Sequence, residues 1–223
     1  MPELLIENVS KSFAQGDTAV RAVDGASLKV DGGEVLLLMG PSGSGKTTLL
    51  AIAGCLLRPD SGKVYVGGQE VTALAQRALP AVRLQRIGFI FQSFNLISTL
   101  TAQENVELVL RMAGRSDASR RALGLLAELG LEPRAKFLPA QLSGGERQRV
   151  AVARALATDP AVILADEPTA NLDSRSGQQV VSMLAEAARK RGKAVVIVSH
   201  DTRLKEIADR LIWMEDGRLK AGA

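Results

Sequence analysis

Several residue types are scarce in this sequence, and each shortage removes a class of function. Aromatic residues are 3% of the 223 residues, so a nucleic-acid surface of stacked aromatic platforms has little to be built from. One cysteine, Cys55, excludes an internal disulfide framework; within the apolar run "AIAGCLL" it reads as a small buried hydrophobe, not a nucleophile. No uninterrupted apolar run approaches the roughly 18 residues that a membrane-spanning helix needs. The opening "MPELLIENVS" lacks the basic start and apolar stretch of a secretion signal, so a soluble chain on the cytoplasmic side is expected. Neither sign of charge dominates. A net charge of +4 permits an anionic ligand or surface without requiring one. The basic run "RKRGK" at 189–193 falls where a helix should end and complements its dipole.

What is present suits one substantial globular core: 46% hydrophobic and 23% charged residues. Short apolar runs closed by loops or turns predict strands near 4–9, 27–30, 35–39, 63–66, 87–91, 162–165, 194–199 and 210–214. "DGGE" between Val30 and Val35 is a hairpin signal, so the opening strands are expected to be antiparallel. From Val35 onward, continuous apolar strands followed by helices predict a buried parallel sheet. Between Thr101 and Leu131 there are two helical patterns and no strand. "TAQE" at 101–104 is a capping box opening the first, and "SDASRRALGLLAELG" carries the second to a stop at Gly130. This stretch reads as a helical insertion in an α/β core.

Four stretches carry chemistry. "GPSGSGKT", Gly40 to Thr47, follows the apolar "EVLLLM" and precedes the helical "TLLAIAG". It has the form of a phosphate-binding loop. Its glycines let backbone amides face phosphates, Lys46 can reach the β and γ groups, and the Thr47 hydroxyl can ligate Mg²⁺. "AVILADEP", 161–168, ends in two adjacent carboxylates whose side chains alternate along the strand and so serve different jobs. Asp166 suits direct or outer-shell support of Mg²⁺, and Glu167 suits orienting or deprotonating an attacking water. His200 and Gln92 end two further apolar runs, at the side where parallel strands make a ligand crevice. A γ-phosphate contact fits His200; Gln92 suits contact with Mg²⁺ or with the water. Last, "QLSGGERQRVAVARAL" reads as a helix opened by a Ser143–Glu146 capping box. Gly144 and Gly145 in its first turn offer bare amides to an anion. That makes two phosphate cradles in one chain.

In order and spacing these motifs resemble the nucleotide-binding subunit of an ATP-binding cassette (ABC) transporter over nearly the whole length. "GPSGSGKTT", including Thr48, resembles Walker A and "VILADEP" Walker B; "FQ" at 91–92 resembles the Q-loop, "LSGGE" at 142–146 the signature, "NLD" at 171–173 the D-loop, and His200 the switch histidine. The resemblance implies an α/β fold: a P-loop NTPase core with a parallel sheet, an N-terminal antiparallel β subdomain, and a helical subdomain at about 93–157 inserted in a single domain of residues 1–223. It implies ATP bound by Gly40, Pro41, Ser42, Gly43, Ser44, Gly45, Lys46, Thr47 and Thr48, with Phe13 stacked on adenine. It implies metal support from Thr47, Gln92 and Asp166, and hydrolysis by Glu167 with His200. Ser143, Gly144, Gly145 and Glu146 then act in trans on the nucleotide of a second copy in an ATP-dependent head-to-tail homodimer, with Asp173 bracing the interface.

The segment "RLQRIGFIFQSFNLISTLTAQENV" is similar to the branch containing lipoprotein-releasing, macrolide-export and cell-division ATPases. This implies an export or extraction ATPase on the cytoplasmic face of the plasma membrane, with a separate permease docking near 93–105 and a lipid, lipoprotein or drug-like cargo. Transmembrane signalling to cell-wall machinery without transport is the variant within the class. A soluble ABC protein acting on nucleic acid or the ribosome, or a P-loop kinase, are the rivals from other classes; no nucleic acid is expected. One departure is Ala170 in "DEPTANLD", where many branch members carry Gly; it is tolerable unless that backbone needs a positive φ.

Overall fold

A computed structural model describes residues 1–16 and 18–221; Asp17, Gly222 and Ala223 of the expected domain lie outside the described residues. β1 (Leu4–Gln15) and β2 (Thr18–Val30) form a long antiparallel hairpin, with Leu4 opposite Val30 and Phe13 opposite Val20. Both strands run well beyond their apolar cores at 4–9 and 27–30. Along the end of β2, Ala26, Leu28 and Val30 are buried while Ser27 and Lys29 are exposed, the alternation of a sheet with one wet face.

"DGGE" does turn the chain: Glu34 N–H donates to Asp31 O (3.2 Å), and Asp31 N–H to Glu34 Oε2 (2.8 Å). It does not, however, make a hairpin. β3 (Val35–Met39) leaves for a second sheet, which corrects the sequence-based expectation. The reason lies in burial. All five residues of β3 are buried, so this strand needs cover on both faces, which the half-exposed β2 sheet cannot supply.

After α1 (Lys46–Ala53), β4 (Ser61–Val66) and β5 (Gln69–Glu70) return to the first sheet, whose order is β2-β1-β4-β5. The chain continues through α2 (Leu79–Arg86), β6 (Ile87–Ile90), α3 (Ala102–Met112), α4 (Ala118–Glu128), α5 (Gly144–Leu156), β7 (Val162–Asp166), α6 (Ser174–Arg189), β8 (Ala194–Val198), β9 (Arg210–Glu215) and β10 (Arg218–Ala221). The second sheet has the order β10-β9-β3-β8-β7-β6. It is parallel from β9 to β6, with β10 antiparallel at its edge.

Alternate side chains of that sheet feed two cores. Leu36, Leu38, Leu164 and Val196 pack toward α1 and the first sheet. Val35, Leu37, Ile163, Val195 and Ile197 pack toward α6. A third core joins Val106 and Leu110 of α3, Ala122 and Leu126 of α4, and Val150 and Ala153 of α5. The opposite side of α5, through Val152, Ala155 and Leu156, packs into the core shared with α6. So α5 links the three-helix layer to the parallel sheet. Thr101 and Glu104 complete the capping box of α3, and Gly130, at φ 69, follows α4. Beyond α6, Lys190, Arg191 and Lys193 each pair with an acid of the chain itself: Glu186, Glu128 and Asp159.

Candidate functional site

The carboxyl ends of β3, β7 and β8 open into one cleft of about 640 Å³, lined among others by Lys46, Thr47, Gln92, Asp166, Glu167 and His200. The loop that floors it is a run of close approaches. Gly45 caps α1 in the left-handed region, φ 101, and a Cβ there would lie 2.0 Å from Ala22 O. No side chain caps α1, so its leading amides are not spent on the chain itself. Lys46 Nζ donates to Gly40 O (2.9 Å), Pro41 O (2.7 Å) and Ser44 Oγ (3.2 Å), which curls the loop around the ammonium. Burial pushes its pKa down, and the carboxylates of Glu167 and Asp166 oppose that shift. Ser44 is buried and faces the loop interior; Gly40–Gly43 and Gly45–Thr48 face the cleft.

Thr47 Oγ1 donates to Asp166 Oδ1 at 3.4 Å. Burial raises the Asp166 pKa, against the Thr47 hydrogen bond. This pair of hard oxygens, with the Gln92 amide in the same cleft, fits Mg²⁺, which keeps most of its shell as water and phosphate oxygen. Among the described residues no group of three or more His, Cys, Asp or Glu is placed to hold a metal ion.

Glu167 takes the left-handed backbone, φ 46, and its N–H donates to Val198 O at 2.8 Å, prolonging the β7–β8 ladder by one bond. Its carboxylate is held twice. Ser199 Oγ donates to Oε2 at 2.8 Å, and His200 Nδ1 lies 2.9 Å from Oε1. The Glu167 side chain is 17% exposed and that of His200 is 79% exposed. Two carboxylates, one lysine, one exposed imidazole and a row of amides therefore share a cleft open to water, an arrangement suited to attack on a bound phosphate.

The remaining predicted residues do not gather there. Phe13 stands on β1, 43% exposed, with Lys11 Nζ 5.8 Å from its ring centre, outside the lining of the cleft. Ser143 caps α5: its hydroxyl accepts from Glu146 N–H (3.2 Å), and Ser143 N–H donates to Glu146 Oε2 (2.8 Å). Asp173 caps α6, accepting from Ser176 N–H at 2.9 Å. A Cβ on Gly145 would lie 2.4 Å from Ser176 Oγ, so this glycine lets α5 pack closely on α6, a packing role that the sequence did not reveal. Ala170 is exposed and has no positive φ, so its methyl is accommodated.

Other contacts around the site escaped the sequence. Gln148, wholly buried on α5, donates from Nε2 to Pro168 O (2.7 Å), directly beyond Glu167. Asn171 Nδ2 donates to Gln92 O (3.1 Å), and Arg154 of α5 donates to the carbonyls of Phe94 and Asn95. The signal for Ser199 was its place beside His200. Nothing local marked Gln148 or Arg154, whose partners lie 20 and about 60 residues away.

A family model described as ABC transporter matches residues 23–170. The chain belongs to the ABC transporter family. It is 44% identical over 220 residues to the macrolide export ATP-binding/permease protein MacB of Hyphomonas neptunium, covering 98% of this chain and 34% of that protein. It is 46% identical over 215 residues to an uncharacterized ABC transporter ATP-binding protein of Thermotoga maritima, covering 96% and 92%. Against MJ0796 of Methanocaldococcus jannaschii, also an uncharacterized ABC transporter ATP-binding protein, identity is 43% over 221 residues, covering 96% and 94%. A solved dimeric, post-hydrolysis structure of MJ0796 bound to ADP and Pi superposes with a TM-score of 0.91 at 41% identity, covering 98% of both chains. The chain thus spans about a third of the length of the macrolide-export relatives and nearly all of the stand-alone cassettes. It is an ABC ATPase domain with the mixed sheet, antiparallel β subdomain and helices of those cassettes.

Proposed function

We propose that this ABC ATPase closes head to tail with a second copy around two ATP molecules and reopens on hydrolysis, driving a membrane permease that exports or extracts a lipid, lipoprotein or drug-like substrate. The observation that carries the reading is the separation of the two anion cradles. The cleft around Lys46 and the capped start of α5 at Ser143 are both present in one chain, yet Ser143 to Glu146 do not line that cleft. A second copy supplies the missing cover for each. The dimer described for MJ0796 supports the stoichiometry, and the ATP-binding/permease names of the macrolide-export relatives support a membrane partner.

In this mechanism Gly40 to Thr48 wrap the phosphates and Phe13 stacks on adenine. Thr47 and Asp166, with Gln92 beside them, would hold Mg²⁺, which would supply charge neutralisation at the phosphate oxygens. Lys46 leaves its loop carbonyls for the β and γ groups. Glu167 polarises the water for in-line attack, and His200 turns from Glu167 to the γ-phosphate. Ser143, Gly144, Gly145 and Glu146 cover the partner's γ-phosphate, and Asp173 braces the interface. The whole chain works as one domain, with the helical part at about 93–157 presenting residues 93–105 to the permease; Ile97, 44% exposed, stands on that segment. The domain sits peripherally on the cytoplasmic face. No described helix is long and apolar enough to cross a membrane.

The test is the solution mass of Glu167→Gln by light scattering, with and without Mg²⁺–ATP. A shift from monomer to dimer with ATP, abolished by Ser143→Arg, is expected. A persistent monomer with ATP shown to be bound would sink the homodimer. The same variant should slow turnover by about 10²–10⁴-fold while still binding ATP.

A further inference from the structure

The two groups that hold the Glu167 carboxylate are not equivalent. His200 is mostly exposed, and its side chain has room to turn. Ser199 is 1% exposed and follows directly on β8. Asp166 of β7 is paired with Val198 of β8, so the next residues on the two strands, Glu167 and Ser199, are neighbours by register.

The direction of the serine hydroxyl is also constrained. Ser199 Oγ accepts the N–H of Asp201 at 3.1 Å, and Oε2 of Glu167 lies 2.8 Å away. An ionised carboxylate only accepts, so the single hydroxyl hydrogen is committed to Glu167. Asp201 is fastened in turn. Its Oδ2 accepts from Thr169 Oγ1 (2.7 Å), a buried residue two positions beyond Glu167, and Arg203 forks onto both of its oxygens. Glu167, Ser199, Asp201 and Thr169 therefore close a ring that His200 stands outside.

We propose that Ser199 is the positioning residue of the reaction: its buried hydroxyl keeps Glu167 aimed while His200 is released to the phosphate. Without that bond the carboxylate would lose its aim at the moment the imidazole leaves. The proposal rests on the reading of Glu167 as the group that polarises the water. Ser199 touches neither the water nor the nucleotide, and acts through Glu167 alone.

The experiment compares steady-state ATPase kcat and KM, ATP affinity and thermal midpoint for the wild type, Ser199→Ala, Ser199→Thr, Glu167→Gln and the Ser199→Ala/Glu167→Gln double variant. Losing one hydrogen bond to a charged group should lower kcat by about ten- to a hundredfold, with KM and ATP affinity within about twofold. Ser199→Thr keeps the hydroxyl and should restore most of kcat. In the Glu167→Gln background, Ser199→Ala should add little, because both changes remove the same oriented carboxylate. If threonine does not fit the buried site, shown by a fall in thermal midpoint, the double variant decides. Wild-type kcat in Ser199→Ala overturns the proposal, and so does an equal fractional loss in both backgrounds or a loss confined to KM. Wild-type turnover in Glu167→Gln overturns the underlying assignment of Glu167 instead.

Discussion

Two helices of this protein begin where a phosphate could bind, and they are built in opposite ways. α1 starts at a left-handed glycine with no side-chain cap and no acid in its first turn, and a lysine is its first residue. Its donors and its positive end are left for a ligand. α5 starts at Ser143 with a full capping box, so two of its leading polar groups already serve each other. Glu146 adds a negative charge there, balanced by Arg134 at 2.9 Å. A helix end finished in this way holds its shape without an anion. In the proposed dimer it would serve as the lid over a phosphate whose main cradle is the partner's α1, and α1 as the seat.

The largest expected break in this comparison comes at the seat. Gly45→Ala combines a left-handed φ with a Cβ placed 2.0 Å from the backbone of Ala22. The combined strain and overpacking should cost about 3 kcal/mol or more, and ATP affinity should fall over a hundredfold. Calorimetry with a fluorescent-nucleotide titration checks it, and near-normal binding would show that the loop does not depend on this approach.

At the lid the corresponding change is milder. Gly145→Ala meets the Ser176 side chain, which is able to shift, so a cost of about 1–3 kcal/mol is expected. Ser176→Gly in the same chain should recover most of the lost thermal midpoint. Gly144→Ala, whose Cβ would stand 3.4 Å from Asn171 O, should be close to neutral in stability. A collapse of Gly144→Ala on unfolding would refute the distinction between the two glycines.

Ser143→Ala should remove about 1 kcal/mol of helix-cap stability, read as a fall of a few degrees in thermal midpoint. Ser143→Arg should lose ATP-driven dimerisation without losing ATP binding.

The smallest effect is pH-dependent and belongs to α5. The hydrogen bond from Ser143 N–H, aided by Arg134, holds the Glu146 carboxyl below its ordinary 4.5, against the effect of burial. A lowered native pKa stabilises the fold fully above the unfolded value. That contribution fades as pH drops below 4.5 and through the lowered native value. Glu146→Gln keeps the capping geometry without the titration, so its stability should fall less than the wild type's on acidification. Parallel acid-melting curves for the two proteins would refute the assignment.

Most of this site was legible because its parts are local. The phosphate loop is eight contiguous residues, the acidic pair ends an apolar strand, and the α5 capping box spans four positions. The eight predicted strands all exist, since each carries its own apolar run. What was missed lacked such a run. β5 has two residues, β10 alternates charged and apolar residues at a sheet edge, and α2 is short and basic at its end. The turn at Asp31–Glu34 was read as a hairpin because a local turn signal says nothing of which sheet the next strand joins.

The sequence alone determined the elements, the two helix ends and the chemical inventory, because caps, alternation and glycine turns act over a few residues. Only the tertiary structure decided what meets what. It sent β3 into the parallel sheet, set Ser199 against Glu167 by the register of β7 and β8, and pressed Gly145 onto α6. It also joined Gln148 to the carbonyl beyond the acidic pair. These contacts bring together residues 20 to more than 30 positions apart, at the ends of separately formed elements. Local propensity carries no information about such pairs; the packing of buried faces against one another supplies it.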